Sequence, residues 1–202
     1  MGFRIKPISF AISSKSHSNL KFFAMPLHSC QYFIERIFYA ENGSVAMKNI
    51  LFVCLGNICR SPAAEGVLKK LLVDHSIENK FLVDSAGTSS FHAGQPPDQR
   101  MSYHASLRGY NLGGQSRPFV QDDFERFDLI CTMDNSNFLN VSDMARSRAE
   151  KDKIKPFTSF CTIHNITQVP DPYTSGSEGF ELVMDIVEDG CQGIVKMLAD
   201  EM

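Results

Sequence analysis

The chain has 202 residues, 20 Lys+Arg against 23 Asp+Glu and a formal net charge of −3, which suits one domain with an extension. A hydrophobic share of 43% with 21% charged residues excludes a chain disordered throughout. The longest apolar run, residues 50–55, falls far short of the roughly 20 residues that span a bilayer, and no basic excess points to nucleic acid.

In chain order, residues 1–46 come first and carry a net charge of +3, whereas residues 47–202 carry −6. No acid precedes Glu35, and Ser9, Ser13, Ser14, Ser16 and Ser18 crowd the same stretch. A basic, Ser-rich, acid-poor segment has the composition of an organelle transit peptide. A disordered tail, or sequence upstream of a start at Met47, are the competing readings. The domain is expected over 47–202. Its location is a plastid or mitochondrion if the extension is a transit peptide, and the cytoplasm otherwise.

From Met47 onward short apolar runs alternate with longer periodic ones. Residues 50–53 read as a buried strand, and Ala63, Ala64, Val67, Leu68, Leu71 and Leu72 then recur at helical spacing. Residues 81–83 form the next strand, and Pro97 opens a helix that closes near Gly109. Residues 129–131 form a third strand, followed by Asp134 as N-cap of a helix through about Ala145. Residues 153–156 read as a weak edge strand. Phe180, Val183, Met184, Val187, Cys191, Ile194 and Leu198 line one face of a long final helix. Strands alternating with helices predict an α/β fold with a parallel sheet and right-handed crossovers. Ligands in such a sheet bind beyond the carboxyl ends of its strands, which directs attention to the segment after Val53.

Six cysteines, at 30, 54, 59, 131, 161 and 191, are too sparse for a disulfide framework and read as reduced thiols. Residues 53–62 are VCLGNICRSP. A Cys six residues before an Arg is a weak signal alone: with nine Arg and six Cys, roughly 0.3 chance matches are expected. Cys30 and Arg36 share the spacing, but no glycine lies between them and Glu35 would repel an anion. The 54–61 loop has what an anion needs. Gly56 and Asn57 tolerate positive φ, so successive N–H groups can turn inward as a nest. Ser61 and Pro62 mark a helix start whose positive end faces that nest. Arg60 can grip two phosphate oxygens at once. A thiol at a helix N-terminus beside a cation is expected as a thiolate at neutral pH, which makes Cys54 a nucleophile and Ser61 its hydrogen-bond donor. A small buried residue at a strand end is the competing reading of Cys54.

This loop resembles the signature of the low-molecular-weight protein tyrosine phosphatases. The likeness extends over residues 48–199 and includes DSAGT at 84–88, CTMD at 131–134 and DPY at 171–173. It implies a four-stranded parallel sheet flanked by helices, flavodoxin-like, with the phosphate-binding loop (Leu55, Gly56, Asn57, Ile58, Cys59, Arg60 and Ser61) after the first strand. It also implies hydrolysis of phosphate monoesters, chiefly phosphotyrosine in proteins, through a phosphocysteine. No metal or cofactor is expected.

Thiolate attack on a phosphate ester needs an acid opposite the nucleophile. Asp171, stiffened between Pro170 and Pro172, is the candidate, and the resemblance implies the same role. Asp134 is read as a helix cap and Asp84 as structural. The resemblance further implies a support network around Asn57 that includes Ser61 and Ser85. This sequence departs from the family where a histidine often occurs and Gly114 falls. Phe91 and Tyr173 match the family's aromatic walls, with core packing the competing reading, stronger for Phe91. Thr174 occupies the position of a second tyrosine. Cys59 suggests a disulfide that shields Cys54 from over-oxidation. Cys131, Cys161 and Cys191 read as core, and no histidine spacing demands a function.

The expected partners are phosphotyrosine proteins or small aryl phosphates, met by a monomer or weak dimer, with neither nucleic acid nor membrane. An arsenate reductase would need a further reactive Cys pair past the third strand, where Cys131 stands alone. In a phosphoarginine phosphatase the residue before the loop's second cysteine resembles threonine, whereas Ile58 here leaves room and apolarity suited to a phenyl ring. A small-metabolite phosphatase stays open, and a binding module without turnover would need no nucleophile.

Overall fold

The computed structural model describes residues 48–200. The 1–46 extension and the Cys30–Arg36 pair therefore lie outside the described residues. Four strands, β1 (Lys48–Cys54), β2 (Phe81–Gly87), β3 (Leu129–Thr132) and β4 (Ile154–Pro156), form one parallel sheet in the order β2-β1-β3-β4. The short strand β4 stands at the edge, where Pro156 removes a donor at little cost. The helices are α1 (Arg60–Asp74), α2 (Gln99–Leu107), α3 (Asp123–Arg126), α4 (Asn135–Met144), α5 (Arg148–Asp152) and α6 (Ser177–Asp200).

The alternation of β1 sorts its side chains between two cores. Ile50, Phe52 and Cys54 face one way, into a layer shared with Val67, Leu68 and Leu71 of α1 and Phe180, Val183 and Val187 of α6. Leu51 and Val53 face the other way, toward Phe124, Phe127 and Val141. Burial on both faces makes β1 a continuous apolar run, as parallel central strands require. Cys54 thus ends β1 on the α1 side, directly below the start of α1.

Helix α1 begins at Arg60, one residue earlier than Ser61 and Pro62 suggest, with Cys59 at the N-cap position. It closes with Ser76 at φ +57, where a glycine is commoner. Helix α2 starts after Asp98, whose carboxylate accepts the Arg100 N–H. Helices α3 and α5, of four and five residues, have too little length to show a period. Among the described residues no helix is long and apolar enough to cross a membrane.

The ends of β1 and β2 are knitted together beyond the sheet proper. Thr88 and Ser89 donate their N–H groups to the carbonyls of Cys54 and Leu55, both at 2.9 Å. Gly87 makes this approach possible: a Cβ there would lie 2.8 Å from the Leu55 carbonyl oxygen and 3.2 Å from Asn57 Cβ. The loop after β1 is therefore shaped by a neighbour about thirty positions away, as well as by its own residues.

Candidate active site

The loop from residue 54 to 60 folds around the Cys54 sulfur. Asn57 takes the left-handed conformation, φ +53, which turns its N–H onto Cys54 Sγ at 3.2 Å. Ser61 Oγ lies 3.0 Å from the same sulfur. One N–H donor and one hydroxyl therefore face a residue that is 2% exposed at the foot of a cleft. Only one of the two expected positive-φ residues is left-handed. Gly56 is required for another reason, since a Cβ there would meet His92 Cδ2 at 2.9 Å.

The loop is braced from behind by Asn57, Ser61 and Ser85, the residues the resemblance implies, and by Glu65, Ser116 and Arg117, which no sequence pattern joins to them. Asn57 Nδ2 donates to Ser61 Oγ at 3.0 Å and to Ser85 Oγ at 2.8 Å, while its Oδ1 accepts the Arg117 N–H at 2.9 Å. The Ser85 hydroxyl donates to Glu65 Oε2 at 2.6 Å, and Lys69 pairs with the other Glu65 oxygen. Ser116 Oγ donates to the Gly56 carbonyl at 2.9 Å. Gly114, where the family often has a histidine, has φ +83 and open space in place of a side chain. Glu65 completes the network on that side. Its signal in the sequence was faint: it follows Ser61 by one helical turn, but its partner Ser85 lies on another strand.

Arg60 is buried under the cleft. One guanidinium nitrogen donates to Asp134 Oδ2 at 2.6 Å and to the Val169 carbonyl at 3.2 Å, and the other to Asp171 Oδ2 at 2.9 Å. Burial disfavours its charge, but Cys54, Asp171 and Asp134 outweigh that and hold its pKa above the ordinary value. Asp134 does two things at once. Its Oδ1 caps α4 through the Asn137 N–H at 2.8 Å while its Oδ2 binds Arg60. Asp171 is 44% exposed and also accepts the Tyr173 N–H at 3.2 Å. Asp84 binds Arg117 at 2.8 Å, a structural position.

The cleft has a volume of about 400 Å³, within the range of small-ligand sites, with Cys54 and Arg60 at its floor and Asp171 on its wall. Phe91 and Tyr173 rise at its mouth, 82% and 47% exposed, so neither belongs to the core. Between them stands His92, edge-on to Phe91 at 4.9 Å and 6.0 Å from the Tyr173 ring, its Nδ1 bound to Gln95. No spacing in the sequence marks His92. Ile58 lines the same cleft as an apolar side chain. Cys59 is a buried free thiol; burial first, then Asp98, Cys54 and Asp171, raises its pKa far above the usual range. Cys131 and Cys191 are buried and Cys161 is half-buried.

A strand-end cysteine under a backbone N–H and a hydroxyl, a buried arginine and a facing carboxylate can bind a phosphoryl group and attack it. A model of the family described as low molecular weight phosphotyrosine protein phosphatase matches residues 49–202. The chain belongs to that family. This low molecular weight phosphatase is 36% identical over 151 residues to the low molecular weight phosphotyrosine protein phosphatase of Gallus gallus, covering 74% of this chain and 95% of the relative. Among solved structures it is similar to a protein tyrosine phosphatase from Entamoeba histolytica with Hepes in its active site. That likeness has a TM-score of 0.74 and 46% identity over 76% of this chain and 98% of the other. It is also similar to a Drosophila arginine phosphatase, with a TM-score of 0.69 and 32% identity over 74% and 96% of the two chains.

Proposed function

We propose that the phosphatase hydrolyses phosphotyrosine in proteins, with Cys54 as nucleophile, Arg60 as transition-state stabiliser and Asp171 as general acid and base. The observation that carries this reading is the convergence of Cys54 Sγ, the Arg60 guanidinium and the Asp171 carboxyl on one cleft. In the first step the Cys54 thiolate attacks phosphorus in line. The S–P bond forms as the P–O bond to the phenol breaks, and Asp171 gives its proton to the departing oxygen. In the second step the Asp171 carboxylate takes a proton from water, the new O–P bond forms, and the thiolate leaves with a hydrogen bond from Ser61. The loop amides and Arg60 stabilise the equatorial oxygens in both steps, the largely electrostatic part of the catalysis. An incoming phosphoryl group competes with Asp171 for Arg60 and so frees the carboxyl to face the leaving oxygen.

A phenyl ring suits the mouth of the cleft, where Phe91 and Tyr173 offer flat faces and Ile58 an apolar edge. One observation favours a second reading: the likeness to the Drosophila arginine phosphatase supports phosphoarginine as a substrate. Hydrolysis of para-nitrophenyl phosphate, phosphotyrosine peptide and phosphoarginine by the wild type and by Cys54→Ser tests both. The expected result is phosphotyrosine as the best substrate, full loss in Cys54→Ser, and phosphorus trapped on Cys54 by acid quench. A quench with no phosphorus on that side chain overturns the mechanism. The composition of residues 1–46 supports import into a plastid or mitochondrion, and the mature N-terminus from tissue tests it.

A further inference from the structure

The segment 170–176, which carries Asp171, is lightly tethered. Pro170 and Pro172 flank the acid and offer no N–H, so the segment is stiff but poor in hydrogen bonds. Apart from the buried Pro172 and the Arg60–Asp171 pair, its position is set by the elements on either side. At the near end the Val169 N–H donates to the Met133 carbonyl at 2.8 Å, and Arg60 holds the Val169 carbonyl. Beyond the acid, helix α2 takes hold of the segment at Tyr173 and at its end. Arg100 and His104 on α2 and Arg108 at its C-cap recur every four residues and so share one side. Arg100 donates to the Tyr173 carbonyl at 3.0 Å and lies over the Tyr173 and Phe180 rings at 5.3 and 4.8 Å. Arg108 is bound by Glu181, Asp185 and Glu188 of α6.

His104 lies between the two arginines and is buried, yet neither step of the hydrolysis uses it. Its ring stacks on Phe180, 5.6 Å between centroids and 5° between planes. Its Nδ1 bonds Glu181, and its Nε2 is 3.2 Å from the hydroxyl of Ser177. Ser177 is the first residue of α6, where the acid-bearing segment ends.

We propose that His104 is a positioning residue for Asp171, acting through its Nε2 bond to Ser177; this rests on the reading of Asp171 as the general acid. The Glu181 carboxylate only accepts, so Nδ1 carries hydrogen and the ring cannot turn over without losing that bond. Nε2 is thereby aimed at Ser177. A hydroxyl can donate to a bare Nε2 or accept from a protonated one, so the link survives a change in imidazole charge. The bond fixes where the segment joins α6. When a phosphoryl group draws Arg60 away from Asp171, the orientation of the carboxyl depends on that anchor.

The test uses kcat/KM for aryl phosphates whose phenols range from strongly to weakly acidic, because a misplaced general acid matters most when the leaving oxygen is basic. Asparagine keeps a nitrogen near the Nδ1 position, and glutamine keeps one near Nε2. His104→Asn and Ser177→Ala are expected to lower kcat/KM for phenyl phosphate about tenfold more than for para-nitrophenyl phosphate. His104→Gln is expected to restore most of that ratio. Ser177 is exposed, so its alanine variant reports even where a change at His104 impairs folding. An equal loss on both substrates, or a ratio that does not distinguish Asn from Gln, overturns the role of His104 if Asp171→Ala shows the selective loss. A flat ratio in Asp171→Ala itself overturns the acid assignment, and this role with it.

Discussion

Arg60 and Asp171 are joined by a 2.9 Å ion pair at the side of the cleft, while the same guanidinium holds Asp134 at 2.6 Å. The two acids differ in freedom. Asp134 has one oxygen on Arg60 and the other on the cap of α4, and its side chain is 19% exposed. Asp171 has the greater exposure, on a short segment that faces the cleft. That freedom suits Asp171 to the proposed role of general acid.

Asp171→Ala is therefore expected to lower turnover by about 10²–10⁴, the range for loss of a general acid, with little change in stability. Asp134→Ala removes a helix cap and one partner of the buried Arg60, and thermal unfolding should register a loss of more than about 1 kcal/mol. Steady-state kinetics on phosphotyrosine peptide distinguishes them. Should Asp134→Ala give the larger fall with its fold intact, the acid has been misassigned.

The brace behind the loop yields a second expectation. Glu65→Ala leaves Ser85 without its acceptor, and Ser85 in turn orients Asn57. A lost hydrogen bond to a charged group costs about 1.5–3 kcal/mol, part of it felt as loosening of the left-handed Asn57 turn. Competitive inhibition by inorganic phosphate should weaken about tenfold, because the inward amides are no longer pre-set. Glu65→Gln retains an acceptor oxygen and should recover most of the affinity. Equal phosphate inhibition in wild type and Glu65→Ala would count against the brace.

The fold was legible because burial writes itself on composition. The run at residues 50–53 is a strand with both faces covered, and the last helix carries its apolar face at every turn. The cysteine loop was legible because its chemistry is local: Cys54, Asn57, Arg60 and Ser61 are consecutive or nearly so, and their contacts need only one left-handed residue. What escaped is long-range. Glu65 meets Ser85, Arg117 meets Asn57 and His104 meets Ser177 only after the sheet has brought their elements together. Arg100, His104 and Arg108 share a side, but no sequence pattern marks them, because their partners lie some 73 to 80 residues later. Asp134 looked like a cap because capping is a local pattern; its bond to Arg60 is not.

Cys59 bears on how the enzyme meets oxidants. Peroxide is expected to convert the Cys54 sulfur to a sulfenic acid, whose hydroxyl the Cys59 sulfur would then displace as water to close the disulfide. That attack needs the Cys59 thiolate, which burial and the nearby acids make scarce. Below its raised pKa the thiolate fraction grows about tenfold per pH unit, so closure should accelerate from pH 6 to pH 8. Mass mapping after peroxide should find more of the Cys54–Cys59 bridge at pH 8, and more Cys54 sulfonate at pH 6. Sulfonate at Cys54 with Cys59 still free at every pH counts against the shield.

Asp189 ties the approach to the acid segment onto α6. Its buried carboxylate accepts the N–H groups of Thr162, Ile163 and His164 at 2.9, 3.0 and 2.8 Å, and His164 Nδ1 at 3.0 Å. Burial alone would raise its pKa, but these donors outweigh it and hold the carboxyl well below the ordinary range. A folded pKa lowered relative to the unfolded value of about 3.9 gives stability that is present above that value and lost as pH falls toward the folded one. Asp189→Asn should therefore cost about 2–4 kcal/mol at pH 7, and the gap from wild type should narrow below about pH 4. Urea denaturation at pH 7, 5 and 3 measures it. A gap that stays constant down to pH 3 would mean that the charge of Asp189 contributes nothing, and that only the shape of its side chain matters.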